Sequence, residues 1–272
     1  MAPKAAASLS AAHWSEEAIV ARDCRMSRIS VADAERALGA YAVAFDCETD
    51  ALFGQLGGER DHALRTRMNF TVTCACVIPL DAVLGPLSTE EAMKTAKSRS
   101  FWRDDNEGVS PVEGLLDLFD GAAAIVGFNH LAFDFPLLQR FYTNFGPARS
   151  REAGMRRYFA HRAKSLDLMT RVQEVTGVRH KLDSLLKQNG LAQKTASGVE
   201  AVRMWEQGRR EELEEYCRVD TEQTLRLALL RGQMQCDGRP LPEETFGLRP
   251  FLAGRLWEAA FEELAAPPPA AP

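Results

Sequence analysis

Ala42-Val43-Ala44-Phe45-Asp46-Cys47-Glu48-Thr49-Asp50 is an apolar run that breaks abruptly into acids. Tyr41 to Phe45 has the length and character of a buried strand. In a strand, residues two apart face the same side, so Asp46 and Glu48 project together from its carboxyl end. Carboxylates that close repel unless a cation or a shared proton lies between them. Alone, a D-x-E of this kind is most often a strand running into a solvated acidic turn. A divalent-metal site requires further ligands from elsewhere in the chain.

The 272 residues suffice for one large domain or two small ones, and a hydrophobic fraction of 46% furnishes a substantial core. No apolar run approaches the ~20 residues that cross a bilayer, which excludes a transmembrane helix and argues against a membrane partner. The Ala/Ser-rich start lacks the apolar block of a secretory signal. Lys4 and that bias also fit a transit peptide, but Glu16 and Glu17 follow soon and the first arginine is Arg22. The start therefore reads as a disordered tail, with organelle import left open. Cys24, Cys47, Cys74, Cys76, Cys217 and Cys236 form no C-x-x-C pair. That spacing argues for reduced thiols in an intracellular, reducing compartment, cytoplasm or nucleus, and against a zinc site.

A net charge of −5 argues against indiscriminate polyanion binding, but it hides a local basic stretch. Between 149 and 181, Arg149, Arg151, Arg156, Arg157, Arg162, Lys164, Arg171, Arg179 and Lys181 face Glu152, Asp167 and Glu174 alone. Surface charge is the commoner explanation for such a cluster. The alternative is contact with phosphates, with Tyr158 and Phe159 stacking a base.

Residues 15 to 38 carry a modest helical pattern. Gly54 to Arg67 reads as a loop, Phe70 to Ile78 as a second strand stopped by Pro79, and Ser98 to Trp102 as a third. This implies an antiparallel meander. Ser110-Pro111-Val112-Glu113 is a capping-box sequence that opens a helix lasting to Gly121. Ala122 to Phe128 follows as a buried strand, and Asp134 to Tyr142 as a helix that begins at or just after Asp134, because Pro136 is tolerated only in its first turn. Ser165 to Leu168 is a short strand. The remainder is helical: Lys181 to Gln188, a helix after the second capping box at Ser197, a long helix from Arg209 to Leu230, and an amphipathic helix from Pro250 to Leu264. Gly238-Arg239-Pro240 reads as a turn, and the Pro/Ala-rich end from Ala265 as disordered.

Two further acids stand where this scaffold brings them to Asp46 and Glu48. Asp134 lies just past the carboxyl end of the 122–128 strand, where open α/β sheets hold ligands. Tyr216 and Asp220, four residues apart on the long helix, share a face, with Glu212 one turn earlier. Four carboxylates make a hard-oxygen set that selects Mg2+ or Mn2+. Enough acids for two ions, about 3.5–4 Å apart, point to phosphodiester hydrolysis.

D-C-E-T at Asp46 to Thr49, N-H-L-A-F-D at Asn129 to Asp134 and Y-C-R-V-D at Tyr216 to Asp220 resemble, in order and spacing, the three exonuclease motifs of the DEDD superfamily in its tyrosine-bearing branch. The segment from Lys181 to Thr221 is similar to the same domains, and the likeness covers about residues 40 to 232. The resemblance implies an α/β, ribonuclease-H-like mixed sheet, an antiparallel meander followed by parallel strands, flanked by helices. It divides the chain into an N-terminal tail with short helices (1–39), an exonuclease domain (40–232) and a C-terminal extension with one helix and a disordered tail (233–272). It implies 3′→5′ removal of nucleotides from single-stranded or unpaired DNA or RNA. Asp46, Glu48, Asp134 and Asp220 would bind two ions, with Asp46 bridging them. Tyr216 would orient the attacking water, since a phenol with a pKa near ~10 is a poor base at neutral pH.

Thr49, Asn129, Phe133 and Lys194 are the candidate substrate contacts, with Thr49 also a candidate for shaping the backbone. Asp167 is expected to cap a helix or support the site rather than ligate. Glu212, Glu214 and Glu215 are expected to form a solvated face, Trp205 to be core, and Asp50 to be a surface turn. No histidine stands four or five residues before Asp220, which disfavours the histidine-bearing branch. The rival from another class is a catalytically silent nuclease-like module that binds nucleic acid or a protein; an endonuclease of the same fold is a third reading. No motif acid is missing, which weighs against the silent module. Protein partners are not readable from the sequence.

Overall fold

The computed structural model describes residues 35, 37–56, 59, 63–64, 67–103, 111–143, 150–193 and 197–265. Most of the helical pattern expected over 15–38, the first capping residue Ser110, Lys194 and the Pro/Ala end from 266 lie outside the described residues.

A five-stranded sheet runs in the order β3-β2-β1-β4-β5, from β1 (Tyr41–Thr49), β2 (Phe70–Pro79), β3 (Lys97–Trp102), β4 (Ala122–Gly127) and β5 (Ser165–Asp167). β1 pairs antiparallel with β2, and β2 with β3, which is the expected meander. β4 joins the other side of β1 in parallel, and β5 joins β4 in parallel. This is the expected ribonuclease-H-like mixed α/β arrangement. β4, and β1 as far as Phe45, read as unbroken apolar runs because helices cover both faces of the sheet.

One face packs on α1 (Pro111–Gly121) and α2 (Asp134–Thr143), where Val43, Phe45 and Ile125 meet Leu115, Phe119 and Phe135. α3 (Arg151–Ala163) closes that side, and Gly154 allows it: a Cβ there would lie 1.8 Å from the Tyr142 carbonyl oxygen. The other face packs on α4 (Leu168–Thr176), α5 (Leu182–Gln188), α6 (Gly198–Glu206), α7 (Arg210–Ala228) and α8 (Leu248–Ala265). α8 begins two residues before its expected start and contributes Leu248, Leu252 and Leu256 to this core.

Three features depart from the sequence expectations. Short helical turns at Leu80–Leu84 and Thr89–Met93 fill the β2–β3 connection, the second closed by a full Ser88–Glu91 capping box. Phe53–Leu56 is a helical turn inside the expected loop. The expected turn at Gly238 is the tip of a hairpin, β6 (Gln233–Cys236) with β7 (Arg239–Pro242). Glu243 anchors it by accepting from the Gly232 N–H at 2.9 Å and from Arg249 at 3.0 Å. The five described cysteines are all free and buried, and no described helix is long and apolar enough to cross a membrane.

Between α1, α2 and α3, His161 is buried with Nε2 2.7 Å from the Asp120 carboxylate and Nδ1 2.8 Å from the Tyr142 hydroxyl. Nε2 therefore carries the proton and donates to Asp120, while Nδ1 accepts from Tyr142. Burial pushes His161 from 6.5 down to about 4, against the pull of Asp120. The folded protein takes up this proton only near pH 4, whereas the unfolded chain binds it near 6.5, so stability falls as pH drops through that window. Urea midpoints should decline between those values, and His161→Gln should flatten the decline; an equally steep decline in the variant would refute this.

Candidate active site

Asp46 and Glu48 leave β1 on the face opposite Phe45 and Cys47, whose side chains belong to the α1–α2 core. Opposite Glu48 the pairing slips: Cys47 faces Thr73 but Thr49 faces Phe70, so two residues of β2 stand against one of β1. Such a bulge twists a strand and re-aims its side chains. Asp46 is half-buried and Glu48 buried.

Asp134 opens α2, where the helix N-terminus favours a carboxylate. Its Oδ1 accepts the Cys47 backbone N–H at 3.1 Å, which ties the second acid segment to the first. Burial, and then the nearby Asp46 carboxylate, push Asp134 well above the usual carboxylate range. Asp220 sits at 1% exposure on the buried stripe of α7, between Cys217 and Thr224, where helical spacing alone calls for an apolar residue. Tyr216, one turn before it, is also buried. Its phenol is pushed up by burial, then by Glu48 and Asp220, with a Tyr216–Asp220 hydrogen bond adding to the effect. The phenol stays protonated and donates.

Oxygens of Asp46 and Glu48 and the Cys217 sulfur all lie within 4.8 Å of one another. Cys217 was expected only as a reduced thiol. It is buried and donates to the Asp46 carbonyl at 3.4 Å, and burial holds its thiol well above the usual range. It therefore stays an S–H and leaves the carboxylates as the donors for a hard cation. The crowded acids, one of them pushed toward its neutral form by burial and then by its neighbour, fit a divalent ion, whose charge would offset that repulsion.

A cleft of about 290 Å³ opens on this group, lined on its polar side by Asp46, Glu48, Thr49 and Tyr216 and on its apolar side by Leu52, Phe53, Met68 and Phe133. Phe53 and Phe133 meet edge to face at 5.7 Å. Gly198, at the start of α6, completes the wall. Of the expected substrate contacts, Thr49 and Phe133 line the cleft. Thr49 also bonds the Ala51 carbonyl at 3.1 Å, which shapes the backbone after β1. Leu52, Phe53 and Met68 come from a segment with no periodic signal in the sequence.

Asn129 adopts a positive φ of 66° in the loop between β4 and α2, and its side chain accepts from Arg179 at 2.9 Å. Asp167 holds this loop. Its carboxylate accepts from the N–H groups of Asn129 and Leu131 at 2.9 Å and, as N-cap of α4, from Thr170 at 3.2 Å. His130 packs so closely on the strand end that a Cβ at Gly127 would lie 2.6 Å from its Nδ1.

The basic stretch is largely committed within the molecule. Arg157 pairs with Asp117 and Asp120 at 2.7 and 2.6 Å, Arg156 with Glu152 and Arg171 with Glu174. Arg162 donates to the Leu131 carbonyl and Lys164 to that of Ala122. Tyr158 is core rather than a stacking surface, while Phe159 is exposed. On α7, Glu212 and Glu215 are exposed partners of Arg209 and Arg218, but Glu214 is not a solvated residue: it accepts from Ser100 at 2.6 Å and the Trp102 indole at 3.1 Å. Asp50 is no free turn either, accepting from Asn69 N–H at 2.9 Å and pairing with Arg103 at 3.0 Å.

The profile of a family described as a predicted 3′-5′ exonuclease related to the exonuclease domain of PolB matches residues 91–245. The chain belongs to this family, which makes it a 3′-5′ exonuclease-like domain. The matched span holds Asp134, Tyr216 and Asp220; β1 adds Asp46 and Glu48 from outside it. No curated protein matches the sequence.

Among solved structures, the family B DNA polymerase of the archaeon Pyrobaculum calidifontis is 18% identical with a TM-score of 0.46, over 70% of this chain and 24% of the polymerase. A structure of exonuclease I is 14% identical with a TM-score of 0.44, over 83% of this chain and 45% of the other. E. coli exonuclease I in complex with a dT13 oligonucleotide is 17% identical with a TM-score of 0.34, over 65% of this chain and 43% of the other. The chain thus spans less than half the length of each.

Removing the Asp167 carboxylate frees the loop that leads to Asp134. Asp167→Ala should weaken Mn2+ binding about 10–100-fold by calorimetric titration, and cost about 1 kcal/mol of stability through the lost cap. Undiminished Mn2+ affinity would show that the loop holds Asp134 without it.

Proposed function

We propose that this protein is a metal-dependent 3′→5′ exonuclease of the tyrosine-bearing DEDD branch, hydrolysing single-stranded or unpaired DNA or RNA with two Mg2+ or Mn2+ ions. The observation that supports this most strongly is the burial of Glu48, Asp134 and Asp220 around the half-buried Asp46 at one end of the sheet. Asp46, Glu48, Asp134 and Asp220 would hold the ions. Bound there, the metals would lower the pKa of water and neutralise charge on the attacking and leaving oxygens.

The chain's own groups set the geometry. Phe133 and Phe53 take the terminal base against the apolar wall, and Thr49 meets the sugar-phosphate at the strand end. Asn129, fixed by Arg179 and Asp167, keeps the loop bearing Phe133 in place. Lys194 is assigned to a phosphate. Tyr216, protonated at any ordinary pH and bonded to Asp220, cannot serve as the base; it positions the attacking water. The water oxygen bonds to phosphorus as the bond from phosphorus to the preceding nucleotide's 3′ oxygen breaks. The water's proton passes to solvent, the leaving 3′ oxygen takes one up, and a nucleoside 5′-monophosphate is released.

Asp46→Asn and Asp220→Asn should each abolish Mn2+-dependent mononucleotide release from a 5′-labelled single strand while circular dichroism shows the fold retained. Tyr216→Phe should lower kcat on the order of 100-fold, the scale of a misplaced reactant, with KM little changed. Full activity in both carboxylate variants sinks the proposal, and wild-type protein that binds no Mn2+ at millimolar levels would favour the silent binding module instead.

A further inference from the structure

Arg210 is exposed at the first turn of α7, and its guanidinium lies over two indoles at once, 5.4 Å from the centroids of both Trp102 and Trp205. Arg103 approaches the Trp205 ring at 5.7 Å and pairs with Asp50, two residues beyond Glu48. Neither tryptophan is fully buried. Trp102 is fixed by its indole N–H to Glu214, and Trp205 stands near the end of α6, the helix whose first residue lines the cleft.

This group shares the face and edge of the acid site. Ser98, Ser100 and Trp102 all bond α7 or lie against its core, while Phe101 points into the opposite core with Cys47. Trp102 is therefore on the same face as Asp46 and Glu48. In register, Cys47 faces Thr73, which faces Phe101, so Glu48 and Trp102 stand level at the sheet's edge. They are two strand spacings apart, roughly 10 Å.

We propose that Arg103, Trp205, Arg210 and Trp102 form a contact platform for the single-stranded nucleic acid a few nucleotides behind the one held in the cleft. This rests on the nuclease reading of that cleft. Charge complementarity selects the occupant: a net-acidic molecule that has paired most of its basic stretch internally presents here a guanidinium clamped between two aromatics. Stacking limits the rotamers of Arg210, so little freedom remains to be lost when it meets a phosphate. Both indoles are only partly buried, so apolar surface that any base can contact remains beside the guanidinium.

The test is binding of a labelled single strand of about 12 nucleotides in EDTA, followed by anisotropy across a salt series. Arg210→Gln, an exposed change that leaves the packing alone, should weaken binding several-fold near ~0.1 M salt. It should also reduce the slope of log affinity against log salt by about 0.7, the loss of one phosphate contact. Trp205→Ala should weaken binding about tenfold with the slope retained, and in Mn2+ its KM penalty should grow from a dinucleotide to the longer strand. Wild-type affinity and slope in Arg210→Gln, or no binding by the wild type, would overturn the platform. Binding that shows these effects without any nucleotide release in Mn2+ would uphold the platform and count against the nuclease reading alone.

Discussion

The backbone N–H of Cys47 reaches 3.1 Å across to the Asp134 carboxylate, and the candidate site depends on that bond. It fixes the end of β1 to the start of α2, segments separated by the whole meander and the first covering helix. The same contact brings Asp134 against Asp46 in a buried setting where carboxylates resist sharing space, which is why Asp134 is pushed toward its neutral form. A fold does not gain stability by desolvating acids side by side. The arrangement becomes favourable once a cation balances it, so the cost built into the clustered acids is also what lets them bind one.

Holding that cluster requires the loop after β4 and the long helix α7 to be rigid relative to β1. The loop is pinned from below by Asp167, and Gly127 lets His130 close over the strand end. α7 is fastened across the meander: Ser98 to Glu222, Ser100 and Trp102 to Glu214, Thr221 to the Cys74 carbonyl and Cys217 to the Asp46 carbonyl. Because α7 grips three strands rather than one, Tyr216 and Asp220 cannot slide along β1 without breaking polar contacts on β2 and β3.

Much of this was legible in the sequence because it depends on local pattern. Buried strands announce themselves as short apolar runs, and Pro136 marks where α2 must begin. Asp220 is reached by its place four residues after Tyr216 on one face of the long helix. What was illegible depends on pairing. Nothing in Thr71 or Val72 shows that β2 carries an extra residue opposite Glu48, and nothing in Asp167 shows that its acceptors serve a loop 36 to 38 residues earlier. The basic stretch misled in the same way: a count of charges cannot reveal that Arg157 and Lys164 are spent on α1 and its carboxyl end. The hairpin at Gly238 was hidden by Pro240 and Pro242, since proline in so short a run argues against a strand unless the strand is an edge, as β7 is.

The electrostatics impose an order on assembly if the cleft takes a nucleic acid. A phosphodiester approaching the acids around Asp46 and Glu48 meets an unfavourable, carboxylate-rich surface, and a chain with a net charge of −5 supplies no general attraction to offset it. Divalent ions reverse the local sign, so the acids and the strand are bound together through the metal and each strengthens the other's occupancy. Phosphates farther from the ions lie beyond that reversal, because screening confines it to about 8–10 Å at ordinary ionic strength. They would have to be met by the protein's own cations, and Arg210, stacked on Trp102 and Trp205, is the group proposed for that role along the acid-bearing edge.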